Sequence, residues 1–148
     1  MYKSNRGFTL IEVLLVIGLI SILAAIVIIA INPVRQFAQA RNTQRASDVN
    51  AILNAVHQNM IDNRGSWTCT TSLPTTVATI SSAVAAGDIC DCLVDVFLPA
   101  MPFDPASGNN YTDCDDYNAG YTIIQSTGGR ITISAPQAEL GTAISVTR

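Results

Sequence analysis

The chain has 148 residues, with eight basic and eleven acidic side chains and a formal charge of −3; 49% of it is hydrophobic and only 13% charged. That size fits one module rather than several domains, and the acidic balance is a poor match for nucleic acid, whose binding rests on Lys and Arg neutralising phosphate. With one histidine and no recognisable arrangement of nucleophile, base and orienting acid, the sequence gives no basis for an enzyme.

In chain order, a short basic stretch with Lys3 and Arg6 leads into Arg6-Gly7-Phe8-Thr9-Leu10-Ile11-Glu12, and this runs directly into residues 13–31, which carry no charge. At ~1.5 Å per residue those residues cover roughly 28 Å as a helix, about one hydrocarbon core. A secretory signal has its small-residue cleavage site after the apolar region. Here the basic leader precedes that region and a lone carboxylate sits near its start. A simple signal anchor is the plain alternative; a buried core helix fits less well, since core helices of such length rarely lack a polar stripe.

Gly7-Phe8-Thr9-Leu10-Ile11-Glu12 closely resembles the processing site of type IV pilins and pseudopilins. The resemblance is specific over residues 3–31, general over the rest of the helix and weak beyond it. It implies cutting between Gly7 and Phe8 by a prepilin peptidase, N-methylation of the new Phe8 amine, and retention of residues 8–31 as the assembly element. It also implies a cytoplasmic leader and an extracytoplasmic C-terminal domain. The basic residues on the two sides (Lys3 and Arg6; Arg35, Arg41 and Arg45) do not set that orientation by themselves. A carboxylate at bilayer depth is costly unless partnered. The resemblance supplies a partner for Glu12: the Phe8 amine of an adjacent subunit, which keeps its positive charge when methylated. Snorkelling of Glu12 to the headgroups is the plainer alternative.

A first long helix is expected over residues 8–63. Pro33, after Asn32, removes a backbone donor and predicts a kink or local break; Gly18 is a second weak point, so the stretch between them is where the helix would loosen on leaving lipid. Residues 35–48 have almost no apolar stripe, with Arg41 and Arg45 projecting on the same side as Val34 and Ile52, and this polarity predicts a spacer that does not pack on its own head and whose partners are water or neighbouring subunits. From residue 49 the pattern changes: Val49, Ile52, Leu53, Val56 and Met60 recur at three- and four-residue steps and predict the spine of a globular head. Asn63-Arg64-Gly65 ends the helix, with Gly65 as a left-handed cap. His57 is expected to be a surface or satisfied histidine.

Residues 75–86 read as a short helix ending at Gly87, while residues 93–98 are apolar enough for strand or helix. Pro99, Pro102 and Pro105 make the next stretch irregular. Residues 121–125 and 131–134 flank Thr127-Gly128-Gly129-Arg130 as a hairpin, and residues 143–147 alternate as a further strand. Cys69, Cys90, Cys92 and Cys114 predict two disulfides with three possible pairings. The sequential pairing, Cys69–Cys90 with Cys92–Cys114, is the expectation; the crossed one, Cys69–Cys92 with Cys90–Cys114, is nearly as easy. Zinc is the weaker reading of these cysteines, and Trp67 reads as a packing residue beside Cys69. Asp104, Asp113, Asp115 and Asp116 are read as solvated loop acids. Met101-Pro102-Phe103-Asp104-Pro105 vaguely resembles the calcium-binding region of pilin-like secretion subunits, but it lacks EF-hand spacing, so no cofactor or metal is expected, with calcium as the weaker option.

The expected fold is α+β and type IV pilin-like: a long N-terminal helix packed on a small antiparallel β-sheet head. It divides into a leader (1–7), a transmembrane and assembly helix (8–31), a polar spacer helix (32–48) and a globular head (49–148). The expected function is a subunit of a type IV pilus-like filament for adhesion, motility or DNA uptake. Its partners would be identical subunits, the prepilin peptidase, the pilus assembly machinery and, before assembly, the inner membrane, with no nucleic acid bound directly. The alternatives are a pseudopilin of a type II secretion system and, in another class, a monomeric membrane-tethered extracytoplasmic binding domain.

Overall fold

The computed structural model describes residues 7–106 and 108–148, so the expected leader lies outside the described residues apart from Gly7. Two compact units are formed, Met1–Phe37 and Ala38–Arg148. In the first, helix α1 spans Leu10–Ile31 and none of its residues is buried. It is apolar on every side and long enough to cross a membrane by length and composition. Gly18 sits within it without interrupting it.

The long helix carries the local break expected at Pro33. Asn32 takes a left-handed conformation (φ 47°) and ends α1, and Pro33 opens α2, Pro33–Asp62. The physical reason is that proline suits the first turn of a helix, where its missing N–H is not needed. Asn32 serves both ends: its carbonyl accepts from the N–H groups of Arg35 (3.1 Å) and Gln36 (3.3 Å). The end of α2 follows the expected pattern: Gly65, at φ 87°, donates its N–H to the Met60 carbonyl at 2.7 Å.

The second unit is an α+β head. Strands β1 (Ala78–Ser81), β2 (Asn110–Tyr111), β3 (Tyr117–Gln125), β4 (Ile131–Ala135) and β5 (Ile144–Thr147) form one antiparallel sheet in the order β1-β3-β4-β5, with β2 also paired to β3. Alternation along β3 and β4 sends Tyr121, Ile123, Ile131 and Ile133 inward, against Val49, Ile52, Leu53 and Val56 of α2. The β3–β4 hairpin and β5 lie where the alternation places them. The helix expected over residues 75–86 is instead β1 followed by a 3-10 turn, Ala85–Gly87. The β-branched run Thr75-Thr76-Val77 with Thr79 and Ile80 suits a strand, pairing with β3 fixes it, and a side chain on Gly87 would strike the Thr79 carbonyl. Residues 93–98 form neither helix nor strand: Asp95 is left-handed (φ 67°), and the turn closes by an isolated bridge between Val94 and Leu98.

The disulfides are crossed: Cys69–Cys92 and Cys90–Cys114. This corrects the sequential expectation. Cys90 and Cys92 share one 3-10 turn, Cys90–Cys92, in which Cys90 is fully buried and Cys92 half-buried, so each meets a different flanking segment. Trp67 packs against the edge of the core and donates Nε1–H to the Thr71 carbonyl at 2.8 Å. His57 departs from expectation: it is half-buried, and its Nε2 has no hydrogen-bond partner among the described residues.

Candidate functional site

Two polar sites stand out, one in each unit. At the start of α1, Thr9 is the N-cap and Glu12 the third helical residue, and together they form a reciprocal capping box. The Glu12 N–H donates to Thr9 Oγ1 at 3.3 Å; the Thr9 N–H and hydroxyl both donate to Glu12 Oε2, at 3.0 and 3.1 Å. The side chain thereby satisfies a backbone donor that helix geometry leaves without a partner. All of these atoms belong to Thr9 and Glu12, so a cut between Gly7 and Phe8 leaves the box intact. Phe8 is 88% exposed beside it. Thr9-x-x-Glu12 ahead of an apolar run is itself a capping signal, and the sequence reading passed over it in favour of the charge on Glu12.

In the head, the reading of residues 35–48 as a spacer without contacts is wrong from Ala38 onward. Ala38, Arg45 and Asp48 are buried. Arg45 donates Nε–H to Asp104 Oδ2 (2.7 Å), Nη2–H to Asp104 Oδ1 (3.0 Å), and Nη1–H to Glu139 Oε2 (2.8 Å) and Asn42 Oδ1 (2.9 Å). This forked geometry suits guanidinium and carboxylate, and the four hydrogen bonds offset the cost of burying the charge. Arg41 adds a second fork onto Glu139, at 2.7 and 2.6 Å. Pairing with Arg41 and Arg45 pulls the Glu139 carboxyl down to about 2, and the Asp104 and Glu139 carboxylates raise the Arg45 guanidinium further above its ordinary range.

One turn further along α2, Asp48 accepts from the Tyr121 hydroxyl (2.8 Å) and from Gln44 Nε2 (2.7 Å). Burial pushes the Asp48 carboxyl up and, with the Asp48 hydrogen bond, raises the Tyr121 phenol. Asn59 then spans three backbone groups, taking the Thr68 N–H on its Oδ1 and donating Nδ2–H to the carbonyls of Thr68 and Cys92. Arg41, Arg45, Asp48, Ile52, Val56 and Asn59 form one row at three- and four-residue steps: α2 has a single inward face, polar at its base and apolar above. The missed signal was the shared side of Arg41, Arg45 and Ile52 in the helical projection.

The four acids expected to be solvated divide. Asp104 is fully buried against Arg45 and also accepts the Ala106 N–H. Asp113, Asp115 and Asp116 lie exposed in the turn before β3, where Asp113 Oδ1 accepts the N–H groups of the other two. Among the described residues, no group of three or more His, Cys, Asp or Glu side chains converges as a metal site would require. All four cysteines are used in disulfides.

Residues 2–31 match the family described as the prokaryotic N-terminal methylation motif, the signature of type IV pilins and pseudopilins. With the apolar α1 and the α+β head, that match supports a type IV pilin-like or pseudopilin subunit, and members of that family are generally structural, non-enzymatic subunits. No curated protein and no solved structure matches the chain.

Proposed function

We propose that this chain is the structural subunit of a type IV pilus-like extracellular filament. It is made as a single-pass inner-membrane protein, cut between Gly7 and Phe8 by a prepilin peptidase, methylated on the Phe8 amine and polymerised through residues 8–31 with the help of the assembly machinery. The observation that carries this reading is α1 itself: a 22-residue helix, apolar all round, with none of its residues buried and one carboxylate in its first turn. Lipid covers such a helix before assembly and copies of the same helix cover it afterwards. Glu12 then has two tasks. Oε2 holds the Thr9 cap, while Oε1, which makes no hydrogen bond among the described residues, faces the amine of an incoming neighbour.

Substitution separates these tasks. Glutamine preserves a capping box, whereas alanine removes it. If charge pairing drives assembly, Glu12→Gln and Glu12→Ala are both inserted and cleaved, yet both are lost from the sheared filament fraction. Filaments from Glu12→Gln at wild-type yield would show that Glu12 acts only as a cap. Adhesion, motility and DNA uptake are the uses such a filament serves. A short secretion pseudopilus would be built from the same contacts, and a calcium requirement for head stability would favour it. Against that, the Asp104 carboxylate is already paired with Arg45.

A further inference from the structure

Two exposed features remain that neither the N-terminal motif nor the buried polar row accounts for. The first is Val34-Arg35-Gln36-Phe37 at the base of α2, where Val34 is 73% and Phe37 64% exposed. The ion pairs among the described residues use Arg41 and Arg45, so Arg35 has no carboxylate. The second is a groove of about 460 Å³ between α2 and the 93–98 turn, lined by Ala51, Asn54, Ala55, Gln58 and the apolar run 96–98. Its volume falls within the roughly 300–1,000 Å³ typical of sites that enclose drug-sized groups, enough for an aromatic ring. Val96 stands at the rim, 71% exposed. Acids flank the groove: Asp95 precedes Val96, and Asp62 lies one turn beyond Gln58, from which it accepts a hydrogen bond.

We infer that the groove receives the Val34–Phe37 segment of a second copy of this chain, with the Phe37 ring between the small side chains of Ala51 and Ala55 and Arg35 facing Asp95. Size and charge match: an apolar pair carrying a cation meets an apolar groove flanked by two carboxylates that form no ion pair among the described residues. Position 37 and positions 51–58 belong to the same uninterrupted helix, and a helix does not fold back onto itself, so the contact forms between copies. The segment follows α1 directly, so the contact continues the interface that the proposed function assigns to residues 8–31. The inference rests on that reading.

A photo-cross-linking phenylalanine analogue at position 37 tests it in filaments sheared from cells. The expected product is a covalent dimer whose linked peptide contains residues 51–58 or 96–98. The analogue placed instead at Val96, on the exposed rim, should give the reciprocal link to residues 34–37, which covers a failure of the first variant to assemble. Exposed-face weakening by Arg35→Glu should lower filament yield, and loss of the buried ring in Phe37→Ser should lower it by about tenfold or more. Filaments that form normally but cross-link elsewhere would overturn this surface and leave the filament reading standing. Absence of filaments from the wild-type chain would overturn both.

Discussion

Replacing Arg45 by methionine keeps the length of the side chain and removes the charge. Arg45 is 1% exposed and Asp104 0% exposed. The substitution therefore strands a buried carboxylate that had received two guanidinium hydrogen bonds, at 2.7 and 3.0 Å. Breaking a buried pair by removing one partner costs about 3–5 kcal/mol, because the remaining charge is uncompensated. For a head of this size that lowers the unfolding midpoint by roughly 10–20 °C. Circular dichroism on the purified chain in detergent, with both disulfides intact, reads the change. Arg45→Met combined with Asp104→Leu should recover much of the loss, since an apolar pair of similar volume removes the stranded charge. A single Arg45→Met variant within about 1 kcal/mol of wild type would refute the reasoning, as would a double variant less stable than the single one.

Mass mapping of the unreduced protein should return peptides linking Cys69 to Cys92 and Cys90 to Cys114; a Cys69–Cys90 peptide as the main species would contradict the fold around the 3-10 turn. With partners 23 and 24 residues apart, each bridge contributes about 3 kcal/mol on the chain-entropy view, so reduction should destabilise the head strongly. The Glu139 carboxyl is held near 2, below its ordinary 4.5. Its contribution is therefore fully present above about pH 4.5 and is lost as pH falls towards 2. Burial shifts Asp48 the other way and opposes this slope. The comparison with Glu139→Gln isolates the Glu139 part: the stability gap between wild type and variant should shrink on acidification, and a constant gap would count against the pairing.

Much of the architecture was legible because its signals are local. Residues 13–31 carry no charge and no polar stripe. The glycine turn between two alternating runs marks the β3–β4 hairpin, and the steps from Val49 to Met60 give the apolar face of α2. What escaped depended on partners distant in sequence. Residues 75–80 hold five β-branched side chains that suit a strand, but it is pairing with β3, some 40 residues on, that settles β1 there. Arg41 and Arg45 read as solvated until Asp104 and Glu139 arrive from loops about 60 and 95 residues later. The crossed disulfides depend on how one 3-10 turn presents Cys90 and Cys92, which spacing does not reveal. At the N-terminus the opposite happened: the Thr9–Glu12 box was local and readable, but attention to the charge on Glu12 hid its role in the cap.

The central claim is that a cleaved, methylated α1 builds a polymer, and N-terminal peptide mass spectrometry on material sheared from the cell surface tests it most directly. The expected result is a peptide beginning at Phe8 and carrying an added methyl group, enriched in the sheared fraction over the membrane pool. A sheared fraction whose subunits begin at Met1, or at a residue beyond Ile31 with α1 removed, would contradict it.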